Sequence, residues 1–93
     1  MPLEKTIVNS IMKYLHTVPG CLVRKRHGTV MGVAGDPDLY GSLRGVHFEM
    51  EVKQVGNDPT PIQIRRLEEW AAAGAIVGVV HNVQEVRGVL GLS

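Results

Sequence analysis

The sequence is poor in cysteine, in aromatic residues and in any excess of one charge. Its 93 residues include one cysteine, so no internal disulfide can form, and we interpret Cys21 as a structural thiol. Ten Lys and Arg against nine Asp and Glu give a net charge of +1. Nucleic-acid binding would therefore need a local cationic patch. Aromatic residues make up 4% of the chain, too few to stack bases along a single strand.

Long apolar runs and internal divisions are also missing. No apolar run approaches the roughly 18 residues of a membrane span, and no secretory leader is recognisable. We therefore expect an intracellular, cytoplasmic protein with no membrane partner. The histidines show no zinc-ligand spacing; they are His16, His27, His47 and His81. Without repeats or linkers, residues 1–93 are predicted to form a single domain.

Apolar periodicity and turn residues predict seven elements. Helices are expected over residues 3–17, 61–74 and 83–90, and strands over residues 21–27, 37–40, 46–53 and 76–80. Thr60 and Asn82 are the predicted N-caps, and residues 41–45 the hairpin turn. Residues 28–35 are expected to form a strand edge and loop, and the strand over 76–80 to be buried on both faces. The order α-β-β-β-α-β-α predicts an α/β fold, with helices packed on one mixed sheet.

The short length favours self-association. A chain of this size buries a small fraction of its surface, which predicts a homodimer. The apolar side chains of the last helix are the candidate interface; they are Val83, Val86, Val89, Leu90 and Leu92.

The strand over residues 46–53 carries the strongest chemical signal. Its alternation separates an apolar face of Val46, Phe48, Met50 and Val52 from a polar face of His47, Glu49, Glu51 and Lys53. Asp38 on the neighbouring strand and Glu51 form a carboxylate pair suited to Mg²⁺ or Mn²⁺, and the carbonyl of Val52 adds a third oxygen. Lys53, about 6.5 Å farther along the same face, would orient the attacking water or neutralise charge on a scissile phosphate.

Each of these residues also has an explanation without chemistry. Glu51 and Lys53 form a same-face ion pair on a solvated strand, a pair that is worth less than about 1 kcal/mol. Asp38 lies in a turn-forming Asp-Pro-Asp string, in which Asp36 competes for the same role. Gln63 fits the third position of a capping box. Taken one at a time, the residues leave these alternatives open.

The order and spacing of the residues resemble the VRR-NUC domain of the PD-(D/E)XK nuclease superfamily. The resemblance covers about residues 3–90 and rests on Glu4, Gly35-x-Pro37-Asp38-Leu39, Glu51-Val52-Lys53, Gln63 in a helix with Trp70 and Gly74, and the strand entered through Gly74-Ala75-Ile76-Val77-Gly78. It implies a restriction-endonuclease-like core and cleavage of structured DNA with a divalent metal. Small stand-alone members resemble phage or mobile-element proteins, which implies a homodimer that acts on branched DNA in the manner of a Holliday-junction resolvase.

The resemblance also implies roles by position. Asp38 and Glu51 match the metal-binding acids, Lys53 the superfamily lysine, and Gln63 the helix glutamine that lines the site. The acid of the first helix, which reaches the metal through water, is matched by Glu4. The residue before the proline is usually apolar in the family but is Asp36 here, so the choice of ligand stays slightly open.

Cations for contact with a DNA backbone occur at three places in the sequence. They are Arg24, Lys25 and Arg26 on a predicted strand, Arg44 at the hairpin tip, and Arg65 and Arg66 on the helix after Gln63. Several phosphate contacts would give DNA binding a steep salt dependence, and recognition would rest on backbone and shape. The alternative is that these cations are scattered and solvated.

The sequence thus predicts a metal-dependent, structure-selective DNA endonuclease that needs no organic cofactor. One alternative is a catalytically silent DNA-binding module of the same fold, which cleavage with Mg²⁺ or Mn²⁺ would exclude. The other is an interaction domain that binds no nucleic acid, which salt-dependent DNA binding would exclude.

Overall fold

Four strands form one mixed sheet in a computed structural model of the chain, which describes residues 2–28 and 32–93. The strands are β1 (Cys21–Lys25), β2 (Leu39–Leu43), β3 (Val46–Val52) and β4 (Ile76–Val80), and the helices are α1 (Glu4–Leu15), α2 (Pro61–Ala72) and α3 (Val83–Leu90). The predicted element order and mixed sheet are confirmed. Of the loop predicted over residues 28–35, residues 29–31 lie outside the described residues.

The sheet has the order β1-β2-β3-β4. The two pairings β1/β2 and β2/β3 are antiparallel, and β3/β4 is parallel. One face packs its apolar side chains against α1 and α3 to form the core; these core residues include Ile11, Leu15, Phe48, Met50, Val86 and Leu90. The other face carries the polar side chains of β3, and α2 packs against β3 and β4 there.

The hairpin turn is shorter than predicted. β2 runs to Leu43, so the turn consists of Arg44 and Gly45, which both have positive φ, of 50° and 88°. Two such residues match the twist of the flanking strands. Gly41 was expected in the turn but lies within β2, where a Cβ atom would overlap the carbonyl oxygen of Leu22 and lie 2.8 Å from Cζ of Phe48. Glycine therefore permits the close approach of β1 to β2.

Burial differs from the predicted pattern in β3 and β4. The alternative of a solvated polar face on β3 is wrong for Glu49 and Glu51, whose exposed fractions are 0% and 1%. At the start of the same strand, Val46 is 45% exposed although it belongs to the apolar face. β4 lies at the sheet edge, so only Val80 is fully buried, and the prediction of burial on both faces is wrong.

The last helix also differs from its predicted role. Val86 and Leu90 are buried in the core, and Val83, Val89 and Leu92 are half-buried against it. The structure therefore uses these side chains for packing within the chain, and they do not form the exposed apolar face that was expected. Among the helices of residues 2–28 and 32–93, none has the length and apolar content needed to cross a bilayer.

Candidate metal centre

Three carboxylates from three separate elements meet beside the end of β3. Glu4, Asp38 and Glu51 each offer an oxygen within 4.8 Å of the others. Glu4 opens α1, and Asp38 directly precedes β2. Because Leu39 pairs with Met50 in the β2/β3 register, Asp38 is placed opposite Glu51. The predicted pair thus lies together, and α1 brings Glu4 close enough to join it.

Hydrogen bonds hold Asp38 in this position. Its Oδ2 atom accepts a hydrogen bond from the backbone N–H of Val52 at 2.9 Å, and its carbonyl oxygen accepts one from the N–H of Arg26 at 2.8 Å. Asp36 is engaged elsewhere, because Oδ1 accepts a hydrogen bond from Nε1 of Trp70 at 3.2 Å and Oδ2 lies 3.9 Å from Nε of Arg26. The structure therefore brings Asp38, not Asp36, into the carboxylate group.

Glu51 is buried, and the described part of the chain offers its carboxylate no hydrogen-bond partner. Among the described residues, no donor reaches either carboxylate oxygen, and the nearest cation is Nζ of Lys53, 3.9 Å from Oε2. Burial, followed by the negative charge of Asp38, raises the pKa of Glu51 to about 8. Orphaned buried carboxylate oxygens are costly. Three hard oxygen donors, among which Glu51 has this deficit, fit a divalent cation such as Mg²⁺ or Mn²⁺.

Glu49, two residues earlier on the same face, has the opposite environment. It is fully buried, but Oε1 accepts from Nη1 of Arg26, and Oε2 accepts from Nη2 of Arg26 at 3.1 Å and also pairs with Nε2 of His47. Its hydrogen-bonding capacity is therefore used within the fold. Sequence reasoning did not single out Glu49 for this structural role, and no local signal distinguishes it from Glu51.

The remaining predicted site residues have other contacts. The side chain of Lys53 is 13% exposed and faces Glu51. The backbone N–H of Val52 donates a hydrogen bond to Asp38. The Oε1 atom of Gln63 accepts from the N–H of Thr60 at 2.9 Å, and Oγ1 of Thr60 accepts from the N–H of Gln63 at 3.4 Å. The predicted capping box is thus present. Roles for the Val52 carbonyl and for Gln63 at the site stay predictions.

The predicted DNA-binding cations differ in solvent exposure and in their contacts within the fold. Arg24 and Arg44 are exposed, as is Arg65, which lies 3.8 Å from Glu69. Arg66 is more enclosed and donates to the carbonyl of Ala34 and to Glu69, both at 3.0 Å.

The expected run of three cations on β1 is also divided. Lys25 is half-buried on the core face of the sheet, and Arg26 is bound to Glu49. A cavity of about 330 Å³ lies next to Asp38, bordered in part by Arg26 and His27.

Solved structures share this architecture. Eleven solved chains are similar to this one. A chain described as "VRR_NUC domain" is 32% identical, with a TM-score of 0.77 over 95% of this chain and 94% of its own length. A chain described as "VRR_NUC domain protein" is 22% identical, with a TM-score of 0.74 over 97% of this chain and 86% of its own length, a likeness of fold. No family model and no curated protein matches this chain.

Proposed function

Because this chain belongs to the VRR-NUC domain family and so carries a nuclease-type domain, we propose that it is a metal-dependent, structure-selective DNA endonuclease. The observation that carries the proposal is the environment of Glu51, which is buried beside Asp38 and Glu4 and whose two carboxylate oxygens have no hydrogen-bond partner within residues 2–28 and 32–93. A carboxylate kept in this environment has a large electrostatic deficit, which a cation would relieve.

Glu4, Asp38 and Glu51 would hold the metal, with the carbonyl of Val52 as a further oxygen. Bound Mg²⁺ or Mn²⁺ supplies Lewis-acid activation of the phosphate and of the attacking water. Lys53 is too far from Glu51 for a hydrogen bond, at 3.9 Å, so its ammonium keeps donors for the substrate. It neutralises charge that develops on the scissile phosphate and orients the water. Gln63, at the start of α2, would line the same site.

DNA reaches the site through contacts with its backbone. The exposed cations Arg24, Arg44 and Arg65 supply these contacts, with Lys25 and Arg66 in support, and the cavity beside Asp38 admits a phosphate. Each neutralised phosphate adds to the salt dependence of binding.

The substrate is branched DNA, and the active form is a homodimer. A two-fold dimer presents two identical sites in a fixed relation, which matches the two symmetric strands of a four-way junction. Paired cuts at such junctions would act in DNA recombination or repair in the cytoplasm of a bacterial host, as for a phage or mobile-element protein.

Cleavage assays test the proposal directly. Labelled junction, flap and linear duplex DNA are incubated with the protein in Mg²⁺, in Mn²⁺ and in a chelator. We expect metal-dependent cleavage of the junction by the wild type and none by Asp38→Ala or Glu51→Ala, both of which should also weaken Mn²⁺ binding in calorimetry. Lys53→Ala should lose turnover with little change in Mn²⁺ affinity, because an ammonium is not a ligand.

Two results would contradict the proposal. Salt-dependent binding of DNA without cleavage in either metal would identify a catalytically silent DNA-binding module. Absence of both binding and cleavage would favour an interaction domain that binds no nucleic acid.

A further inference from the structure

Arg26 donates two hydrogen bonds to the segment that leads into β2 and two to Glu49 on β3. Its backbone N–H donates to the carbonyl of Asp38 at 2.8 Å, and its Nη1 atom donates to the carbonyl of Pro37 at 2.9 Å. The same Nη1 atom also donates to Oε1 of Glu49. Arg26 thus links the backbone of Pro37 and Asp38 to Glu49 on β3.

The guanidinium of Arg26 is enclosed on several sides. Glu49 binds it through both carboxylate oxygens, and Asp36 lies 3.9 Å from Nε. Its Cζ atom lies 4.5 Å from the ring centroid of Tyr40 and 5.4 Å from that of Trp70. The side chain is one quarter exposed. Two carboxylates and two aromatic rings compensate the positive charge of this guanidinium, so it attracts a phosphate only weakly.

The chemistry of this pair requires arginine. A planar guanidinium can bind both oxygens of Glu49 and still donate to the carbonyl of Pro37, whereas a lysine ammonium at the same place cannot reproduce the fork. Residues that orient a metal ligand without touching the metal act through such hydrogen bonds, and their loss lowers metal affinity by roughly 10-fold to 100-fold.

We propose that Arg26 and Glu49 form a positioning pair, which holds the Pro37–Asp38 backbone so that the Asp38 carboxylate is presented to the metal, and that neither residue contacts the metal or DNA. This inference rests on the proposed function of the carboxylate site. It reassigns Arg26 from the group of DNA-binding cations to the support of a ligand.

The backbone amide of Val52 reports on this positioning without metal or DNA, because it donates to Oδ2 of Asp38. In the metal-free protein, we expect Arg26→Lys to shift the Val52 amide resonance in ¹H–¹⁵N NMR spectra and to speed its hydrogen exchange. In calorimetry, the variant should bind Mn²⁺ about 10-fold more weakly. Cleavage should lose kcat with little change in KM for DNA.

Two further variants complete the experiment. Arg65→Lys alters an exposed arginine that also faces a carboxylate, that of Glu69 at 3.8 Å, and should leave the Val52 amide and the Mn²⁺ affinity unchanged. Glu49→Gln keeps an oxygen acceptor in place of the carboxylate and should move both readouts in the same direction as Arg26→Lys. It therefore keeps the test available if Arg26→Lys does not fold.

Several outcomes separate the possibilities. A changed KM and salt dependence with an unchanged Val52 amide would show that Arg26 binds phosphate and would overturn the proposal. Lower thermal stability without a change in the amide or in Mn²⁺ affinity would reduce the pair to a structural role and would also overturn it. If the wild type binds no Mn²⁺, the proposed function fails, whereas the amide measurement still reports whether Arg26 positions Asp38.

Discussion

At the scale of single residues, two glutamates on one face of β3 have opposite environments. Glu49 and Glu51 are both buried, yet every oxygen of Glu49 has a partner and neither oxygen of Glu51 has one among the described residues. Buried polar groups are normally satisfied, so an exception points to a ligand or a reaction. The contrast therefore separates a carboxylate that is satisfied within the fold from one that a bound cation would satisfy, as the proposed function requires.

Replacing the two glutamates should change stability in opposite directions. Without metal, we expect Glu51→Gln to raise the free energy of unfolding, by on the order of 2 kcal/mol at neutral pH, because the chain then no longer has to take up a proton on a buried carboxyl group next to Asp38 when it folds. Glu49→Gln should lower it by about 1–3 kcal/mol, since it breaks the pair with Arg26. Urea denaturation measures both. A loss of stability in Glu51→Gln equal to that in Glu49→Gln would refute the distinction.

Glu51 should also make the metal-free protein less stable as the pH rises. Its pKa is raised to about 8 in the folded protein from an ordinary value of 4.5. Between these values the folded chain keeps a proton that the unfolded chain has released, so the free energy of unfolding falls with pH and levels off above about pH 8.

Denaturation curves from pH 5 to about pH 8.5 test this, and Glu51→Gln should remove most of the slope. Because a cation competes with the proton, added Mn²⁺ should stabilise the wild type more strongly toward pH 8. A pH profile that is the same in the wild type and in Glu51→Gln would contradict the assignment.

At the scale of elements, Gln63 at the start of α2 combines an observed role in the helix cap with a proposed role in the metal site. Gln63 and Thr60 form a reciprocal capping box, which satisfies backbone N–H groups at the helix start. The carboxylate site, by contrast, depends on the register of β2 and β3 and on where α1 begins. The helix cap and the metal site can therefore be perturbed separately.

We expect Gln63→Glu to keep the stability of the wild type but to lose cleavage. Glutamate still accepts the hydrogen bond from Thr60, while its charge adds repulsion near the metal-binding acids. Thr60→Ala is the matched control, because it should cost about 1 kcal/mol of stability and leave turnover intact. Thermal denaturation and junction cleavage, measured on both variants, distinguish the roles. Full activity in Gln63→Glu would leave the side chain with the capping role alone.

At the scale of the whole molecule, the exposed apolar surface lies away from α3. The large apolar side chains that remain exposed in the described part of the chain are Leu3, Leu22, Val33, Val46, Val55, Ile62 and Ile64. They lie on several elements of the fold, and β4 and β1 also leave two open sheet edges. A dimer would have to use these surfaces, because the apolar side of α3 is already packed in the core.

We expect a two-fold dimer in solution that cuts four-way junctions in preference to linear duplex. Pairing would cover exposed apolar side chains and would place two carboxylate sites in register with two strands of the junction. Light scattering at micromolar concentration, combined with junction and duplex cleavage, measures both properties. A monomer that cuts duplex and junction equally well would refute this part of the proposal and leave the nuclease itself intact.

The sequence alone determined the order of the elements and the closeness of Asp38 to Glu51. Periodicity, the caps at Thr60 and Asn82, and turn glycines are local signals, and each predicted element is present within a few residues of its expected ends. The pairing of Asp38 with Glu51 followed from the same local reasoning, because adjacent antiparallel strands bring such residues together.

Only the tertiary structure decided which polar groups are satisfied. The alternating pattern of β3 places Glu49 and Glu51 on the same face and does not distinguish them. The difference between them comes from Arg26 and His47, which bind Glu49 and whose positions depend on long-range packing. Likewise, Asp36 and Asp38 are distinguished by Trp70 on α2 and by the amide of Val52 on β3. Burial and hydrogen-bond partners depend on residues far apart in the chain, so the chemistry of each carboxylate is settled when the helices pack on the sheet.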